Sequence, residues 1–328
     1  MLFVTFANTV SSTLTAVMLV LTACGCFLVG INLMSRGFVQ ASMSSSNFFT
    51  RGFKARNRFA GFGAGFLHCA LVQSSDVTTV TLVRLADIGT ITLFQACACV
   101  IGANVGTTIT TFIVSLSSFN LTPYFAFLAF VGAIPLLSKK KPLKIFGHIV
   151  AGFGILFIGL QLLHDNIENP AFKSLMSGVF ESTTNPLLLV AIATGVTMLV
   201  QSSSVVTSMV VFLVSGVAGF PLESALCLIV GANIGTCFTS WIASVGASRT
   251  ARQTALFHTL FNLVGTTIFL VVMYTPVKEN FFDFAKGIDI NVEFKVALFH
   301  FLFNLCAALV MIPLLRPAVW FCKKLVRH

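Results

Sequence analysis

The chain has 328 residues with 20 Lys+Arg and 10 Asp+Glu, so 9% are charged and 56% hydrophobic. A soluble domain carries about a quarter charged residues to solvate its surface, which excludes an ordinary water-soluble globule. The composition predicts an all-α polytopic protein embedded in a lipid bilayer. Each basic cluster behind the net +10 is short and flanks an apolar span, so the surplus marks a membrane face and no nucleic-acid partner is expected.

Residues 1–35 carry no charge, and a first span near 12–34 precedes Arg36, Arg51, Lys54, Arg56 and Arg58. A cleaved signal would start with a positive segment, which is absent. The positive-inside bias puts the N-terminus outside and this loop in the cytoplasm. Residues 60–85 are apolar yet rich in Ser, Thr and Gly, and hold Gln73-Ser74-Ser75-Asp76, with Thr78, Thr79 and Thr81 beyond. Helix packing can employ single Ser or Thr residues, but four polar residues in a row point all around a helix and cannot all be satisfied that way. At the start of a broken helix they suit an oxyanion such as phosphate, or a hard cation such as Na+. Asp76 is the one acid inside the motif, a cation ligand or a proton-titrating group. Arg84 either attracts an anion or, the favoured reading, pairs with Asp87 three residues on. His68 is expected to be a hydrogen-bonded packing residue.

Spans near 90–118 and 121–137 follow, the first with Gly102-Ala103-Asn104-Val105-Gly106-Thr107 and further oxygens on Thr108 and Thr110. The two glycines permit tight turning and close backbone approach, or serve helix packing alone, and Asn104 offers donor and acceptor together. After Lys139, Lys140, Lys141 and Lys144 comes a span near 145–164, then a mixed, external stretch at 165–181. Residues 186–218 hold Gln201-Ser202-Ser203-Ser204, then Thr207 and Ser208. The span near 221–246 carries Gly231-Ala232-Asn233-Ile234-Gly235-Thr236 and Thr239. Cytoplasmic Arg249 and Arg252, a span near 254–275, a mixed external stretch at 278–295 and a span near 296–315 complete the series, ahead of basic Arg316, Lys323, Lys324 and Arg327. This makes about seven crossing helices with the C-terminus inside, provided that 60–85 and 186–218 enter and leave by one face as re-entrant helical hairpins.

The chain repeats itself. Leu71-Val72-Gln73-Ser74-Ser75 recurs as Leu199-Val200-Gln201-Ser202-Ser203 at a shift of 128, and the Gly-Ala-Asn-x-Gly-Thr motifs recur at 129. Gly25-x-Phe27-Leu28-x-Gly30 matches Gly154-x-Leu156-Phe157-x-Gly159, again at 129. An odd number of crossings between copies makes the repeats inverted, 12–137 and 145–275, with 296–328 an added C-terminal transmembrane helix and basic tail. Inverted repeats with broken segments mark secondary transporters, with the site at the repeat interface. A smaller repeat, Ala255-Leu256-Phe257-His258-x-Leu260-Phe261-Asn262-Leu263, recurs as Ala297-Leu298-Phe299-His300-x-Leu302-Phe303-Asn304-Leu305. Its His and Asn share a helical face and can bond across a helix pair, as structural glue foremost, with proton or substrate handling second. The nine cysteines read as small buried apolar groups, and no nucleophile elbow, P-loop or zinc-protease motif is present.

At these motifs the chain resembles the type II sodium–phosphate cotransporter family, as a bacterial member, over about residues 14–275. The resemblance implies symport of inorganic phosphate into the cell across the inner membrane by alternating access, with Na+ as coupling ion, no other cofactor and no enzymatic step. It implies a phosphate site at Gln73, Ser74, Ser75, Gln201, Ser202, Ser203 and Ser204, which Asn104 and Asn233 extend. It likewise implies Na+ ligands among Gln201, Ser202, Asn233, Thr236 and Thr239, joined by Asp76, Thr107 and Thr110. Asp76 stands where the family usually has Ser, and a carboxylate beside phosphate repels it unless a cation lies between. Ala232 stands where eukaryotic members have Ser in a Na+ site. The general habit of elevator carriers suggests a homodimer. Rival readings are a carrier of another oxyanion or a small carboxylate, an ion channel with re-entrant loops, and, least, a membrane-embedded hydrolase using Ser203 or Ser204, which lacks an accompanying His–acid pair.

Overall fold

The computed structural model describes residues 2–44, 51–116, 122–167, 169–171, 173–174, 185–217 and 220–327. Among these residues every regular element is helical. The first half comprises α1 (Leu2–Ser44), α2 (Arg58–Val72), α3 (Ser75–Asp87), α4 (Leu93–Gly106), α5 (Thr108–Ser115) and α6 (Thr122–Leu136). Then come α7 (Lys141–Ile167), α8 (Pro186–Val200), α9 (Ser203–Gly216), α10 (Leu222–Gly235), α11 (Cys237–Ser244) and α12 (Arg249–Met273). Three more close the chain: α13 (Val277–Gly287), α14 (Val292–Met311) and α15 (Leu315–Leu325). Of the mixed stretch 165–181, Glu168 and Glu181 lie outside the described residues.

Among the described residues six helical stretches are long and apolar enough to cross a bilayer: Ser11–Ala41, Leu93–Ser115, Lys141–Asn166, Leu222–Ser244, Arg249–Met273 and Val292–Met311. The architecture is that of a polytopic membrane protein, with six such spans among the described residues against about seven expected. The exception is 121–137, whose helix α6 has 15 residues and a proline, Pro135, in its last turn. At 1.5 Å per residue its described part reaches about 22 Å, against the roughly 30 Å hydrocarbon layer. The last predicted span also stops early, at Met311; the basic segment beyond it forms α15, which buries Leu315, Ala318, Val319 and Cys322.

Small residues set the packing. A Cβ on Gly30 of α1 would stand 2.3 Å from the backbone N of Leu156 in α7, and one on Gly159 of α7 would stand 2.4 Å from that of Phe27 in α1. Gly30 corresponds to Gly159, and Phe27 to Leu156, at the shift of 129, so each half makes the other's contact. Such reciprocity is how isologous interfaces are built. Within each half the motif glycines do the same work. A Cβ on Gly102 would meet Phe62 O of α2 at 1.9 Å, and one on Gly231 would meet Val190 O of α8 at 2.3 Å. Neither motif glycine has positive φ; among the described residues only Gly89 and Gly246 do. The motif glycines therefore serve close helix packing, not tight turning.

The duplication extends to helix starts. Asn57 caps α2 by accepting from Phe59 N at 2.9 Å, and Asn185, 128 residues on, caps α8 by accepting from Leu187 N at 3.0 Å. These caps satisfy backbone donors that the first helical turn leaves free.

Candidate functional site: two helix breaks and a buried polar lattice

Each Gln-Ser motif lies where one short helix stops and the next starts. Gln73 ends α2 with φ 56° and ψ 26°, and Ser74 opens α3 from an extended conformation. Gln201 ends α8 with φ 54° and ψ 33°, and Ser202 opens α9 in the same way. These are the two non-glycine residues with positive φ among those described. The left-handed region costs an L-residue about 1–2 kcal/mol, and such strain persists where the surroundings fix it, commonly at functional sites. Each Gln bonds its backbone N–H to the carbonyl four residues back, Cys69 O and Thr197 O, both at 2.7 Å. The helix therefore closes before the chain turns, and the first N–H groups of α3 and α9 are left without helical partners.

The two breaks differ in detail. Ser74 Oγ accepts from Val77 N at 3.2 Å, whereas the side chain of Ser202 makes no cap bond. Gln73 is buried, donates from Nε2 to Ala70 O, and has a buried Oε1 with no partner among the described residues. Gln201 is exposed, and Ser203 and Ser204 behind it are buried. Among the described residues no hydrogen bond runs directly from one break to the other.

What joins the halves is the ring of helices around the breaks. Thr239 Oγ1 of α11 donates to Asp76 Oδ1 of α3 at 2.7 Å, sharing its proton with Thr236 O at 2.8 Å. Thr236 Oγ1 in turn donates to Asn233 O at 2.6 Å. The expected cation residues Asp76, Thr236, Thr239 and Asn233 thus form one connected string across the two halves. The counterparts of Asp76 and Thr239 under the repeat are Ser204 and Thr110; both are buried, and Thr110 Oγ1 has no partner among the described residues. Thr107, also buried, sits at the junction of α4 and α5. One half carries a carboxylate where the other carries a hydroxyl.

The His-Asn repeat packs directly onto the motif asparagines. Asn104 and Asn233 each spend Nδ2 on the carbonyl four residues back, Val100 O and Ile229 O, at 2.9 Å. Asn262 of α12 approaches Asn104 Oδ1 at 3.4 Å, and Asn304 of α14 approaches Asn233 Oδ1 at 3.5 Å. His258 Nδ1 pairs with Ser240 Oγ at 2.7 Å, and His300 Nδ1 with Thr111 Oγ1 at 2.8 Å. Ser240 and Thr111 are 129 apart, so the partners are as duplicated as the motifs. The sequence placed His and Asn on one helical face; that they meet the Gly-Ala-Asn motifs appears only in the fold. Their membership of the lattice was within reach of one signal, the 129-residue relation of Ser240 to Thr111.

Arg84 Nη1 lies 3.9 Å from Asp87 Oδ2 on the protein surface. Asp87 also accepts from Ser248 N at 2.7 Å, which with the nearby Arg84 holds its carboxyl below the usual range. His68 is buried and pairs with Thr78 Oγ1 at 3.0 Å. All nine cysteines are free thiols.

A chain with duplicated Gln-Ser helix breaks and duplicated Gly-Ala-Asn helices invites comparison with known carriers. The pattern of the Na+/Pi-cotransporter family matches residues 26–165 and again 161–288. The chain is similar to the "Putative inorganic phosphate export protein YjbB" of Escherichia coli (strain K12), 29% identical over 81% of this chain and 48% of that protein. It is similar to the "Uncharacterized protein YqeW" of Bacillus subtilis (strain 168), 27% identical over 88% of this chain and 91% of that one. A segment of 133 residues is 34% identical to the Homo sapiens "Sodium-dependent phosphate transport protein 2B", covering 39% of this chain and 18% of that protein. The chain spans about half the length of YjbB. No solved structure matches. With two family matches that together take in most of its length, the chain belongs to the Na+/Pi-cotransporter family.

Proposed function

We propose that this chain moves inorganic phosphate across the cell (inner) membrane by alternating access, coupled to Na+ and running inward with the Na+ gradient. The observation that carries this reading is the matched pair of left-handed glutamines, each launching a serine-led helix. A helix N-terminus offers free N–H groups and a favourable dipole to an oxyanion. Hydroxyls of Ser74, Ser75, Ser202, Ser203 and Ser204, with the carboxamides of Gln73 and Gln201, add neutral donors. Phosphate is held there by hydrogen bonds alone, and no covalent step is involved.

The string Asp76–Thr239–Thr236–Asn233 supplies oxygen ligands of the kind a hard cation takes. Na+ bound beside Asp76 neutralises the carboxylate and lets phosphate approach, so each ion raises affinity for the other. That reciprocal gain is the coupling. Gln201, Ser202, Thr107 and Thr110 complete the oxygens assigned to the cation. The helix pairs α2–α3 and α8–α9 are read as re-entrant hairpins in two inverted repeats, N-terminus outside and C-terminus cytoplasmic. The reciprocal Gly30–Leu156 and Gly159–Phe27 contacts support that symmetry, and a homodimer is the assembly proposed.

The name of the E. coli relative favours a second reading, outward movement of phosphate. Uptake of ³²P-phosphate into proteoliposomes separates the two. Inward Na+ symport predicts accumulation with an inward Na+ gradient and none with choline in place of Na+. Equal flux in choline overturns the coupling, and release of preloaded phosphate against an inward Na+ gradient supports export.

A further inference from the structure

The His-Asn repeat is not symmetric in what it touches. His300 bonds Thr111 through Nδ1 at 2.8 Å and reaches Asn233 through Nε2, 3.2 Å from Nδ2 and 3.4 Å from Oδ1. His258 bonds Ser240 through Nδ1 at 2.7 Å, but its Nε2, equally buried, has no partner among the described residues. Both rings are almost fully buried, at 2% and 1% exposure, which leaves neither open to solvent.

We propose that His300 is a positioning residue that presents the Asn233 carbonyl oxygen to the coupling cation. The inference rests on the reading of Asn233 as a cation ligand. Thr111 can donate or accept, so it tolerates the imidazole proton on either nitrogen. With the proton on Nδ1, Nε2 accepts from Asn233 Nδ2, and Asn233 Oδ1 meets only the long 3.5 Å approach of Asn304 Nδ2, which leaves a lone pair for a cation. With the proton on Nε2, the ring donates to Oδ1 and competes with the cation for it. The second hydrogen of Asn233 Nδ2 is held by Ile229 O at 2.9 Å, so the carboxamide cannot turn away. The His300 tautomer therefore decides whether the ring competes for the Asn233 oxygen, and cation binding favours the Nδ1–H form. His258 reaches no motif asparagine, and the duplication thereby supplies a matched control.

The test uses the full chain, purified and reconstituted, with two readouts. One is the Na+ concentration that half-saturates ³²P-phosphate uptake at saturating phosphate; the other is the Na+ dependence of thermal unfolding in detergent. His300→Asn keeps a group at the Nδ1 position for Thr111 but loses the reach to Asn233. It is expected to raise the Na+ half-saturation about fivefold, the worth of one net hydrogen bond, in both readouts. The KM for phosphate at saturating Na+ should not change. His300→Gln places an amide at the Nε2 position and is expected to stay within about twofold of the unsubstituted protein. His258→Asn is expected to leave the Na+ response unchanged. Thr111→Val, which keeps the ring but leaves a buried Nδ1–H without an acceptor and so favours the proton on Nε2, is expected to shift the Na+ response in the same direction as His300→Asn, and it serves if that variant fails to fold. An unchanged Na+ response in both His300→Asn and Thr111→Val overturns the proposal, as does an equal shift in His258→Asn, which would make the repeat a scaffold. An unsubstituted protein with no Na+ response in either readout overturns the cation reading itself, and this inference with it.

Discussion

Asp76→Asn is the sharpest single perturbation of the proposed cation site. The carboxylate is part-buried in α3 and accepts from Thr239 Oγ1 at 2.7 Å. Asparagine keeps the shape and an oxygen for that bond, and Thr239 can place its proton wholly on Thr236 O at 2.8 Å. The charge and one of the two acceptor oxygens are lost. A unit charge about 4 Å from a cation contributes about 4 kcal/mol at an effective dielectric constant of 20. The amide avoids most of the carboxylate's desolvation cost, which returns part of that sum. A net loss of about 1.5–3 kcal/mol remains, the usual worth of a hydrogen bond to a charged group. At about 1.4 kcal/mol per decade, the Na+ half-saturation should rise about 10- to 100-fold. The assay is a Na+ titration of ³²P-phosphate uptake in proteoliposomes at fixed, saturating phosphate. An unchanged half-saturation refutes the assignment of Asp76 to the cation, and a changed phosphate KM with unchanged Na+ response moves Asp76 to the phosphate side.

Three further outcomes are expected. Gln201→Gly relieves the left-handed backbone strain and should raise thermal stability in detergent, by about 1 kcal/mol, while abolishing phosphate uptake; a destabilised or fully active variant contradicts the reading of the break. Gly102→Ala drives a Cβ to 1.9 Å from Phe62 O, a backbone atom that cannot swing aside. It should cost about 1–3 kcal/mol through displacement of α2 from α4, read as a lower unfolding midpoint. Arg84→Gln, on an exposed pair beside Asp87, should leave the phosphate KM unchanged; a large rise in KM would make Arg84 an anion-attracting group.

The positions of the two breaks were legible because Gln73-Ser74-Ser75-Asp76 and Gln201-Ser202-Ser203-Ser204 cannot be satisfied on a continuous apolar helix. Their left-handed glutamines were not, since Gln has no intrinsic preference for that region and only tertiary packing holds it there. Hydropathy reads residues 121–137 as a full crossing; it measures apolarity but not where a proline such as Pro135 falls in a helix. The motif glycines are open in sequence to tight turning, close backbone approach or helix packing, because the partner that decides it, the backbone at Phe62 or Val190, is some 40 residues away. The capping pair Asn57 and Asn185 obeyed the same 128-residue shift as the Gln-Ser motifs and lay within reach of the repeat comparison. The contacts of His258 and His300 join different helices, over 189 residues for His300 and Thr111, and periodicity along one helix carries no record of them.

The most direct test of the central claim, that phosphate sits at the paired Gln-Ser breaks, is equilibrium binding of ³²P-phosphate to the purified protein in Na+. The unsubstituted protein should bind saturably in Na+ and not in choline. Gln201→Ala and Ser203→Ala should each abolish binding while circular dichroism and unfolding midpoint show an intact helical fold. Retained, Na+-dependent phosphate binding by both folded variants would contradict the account.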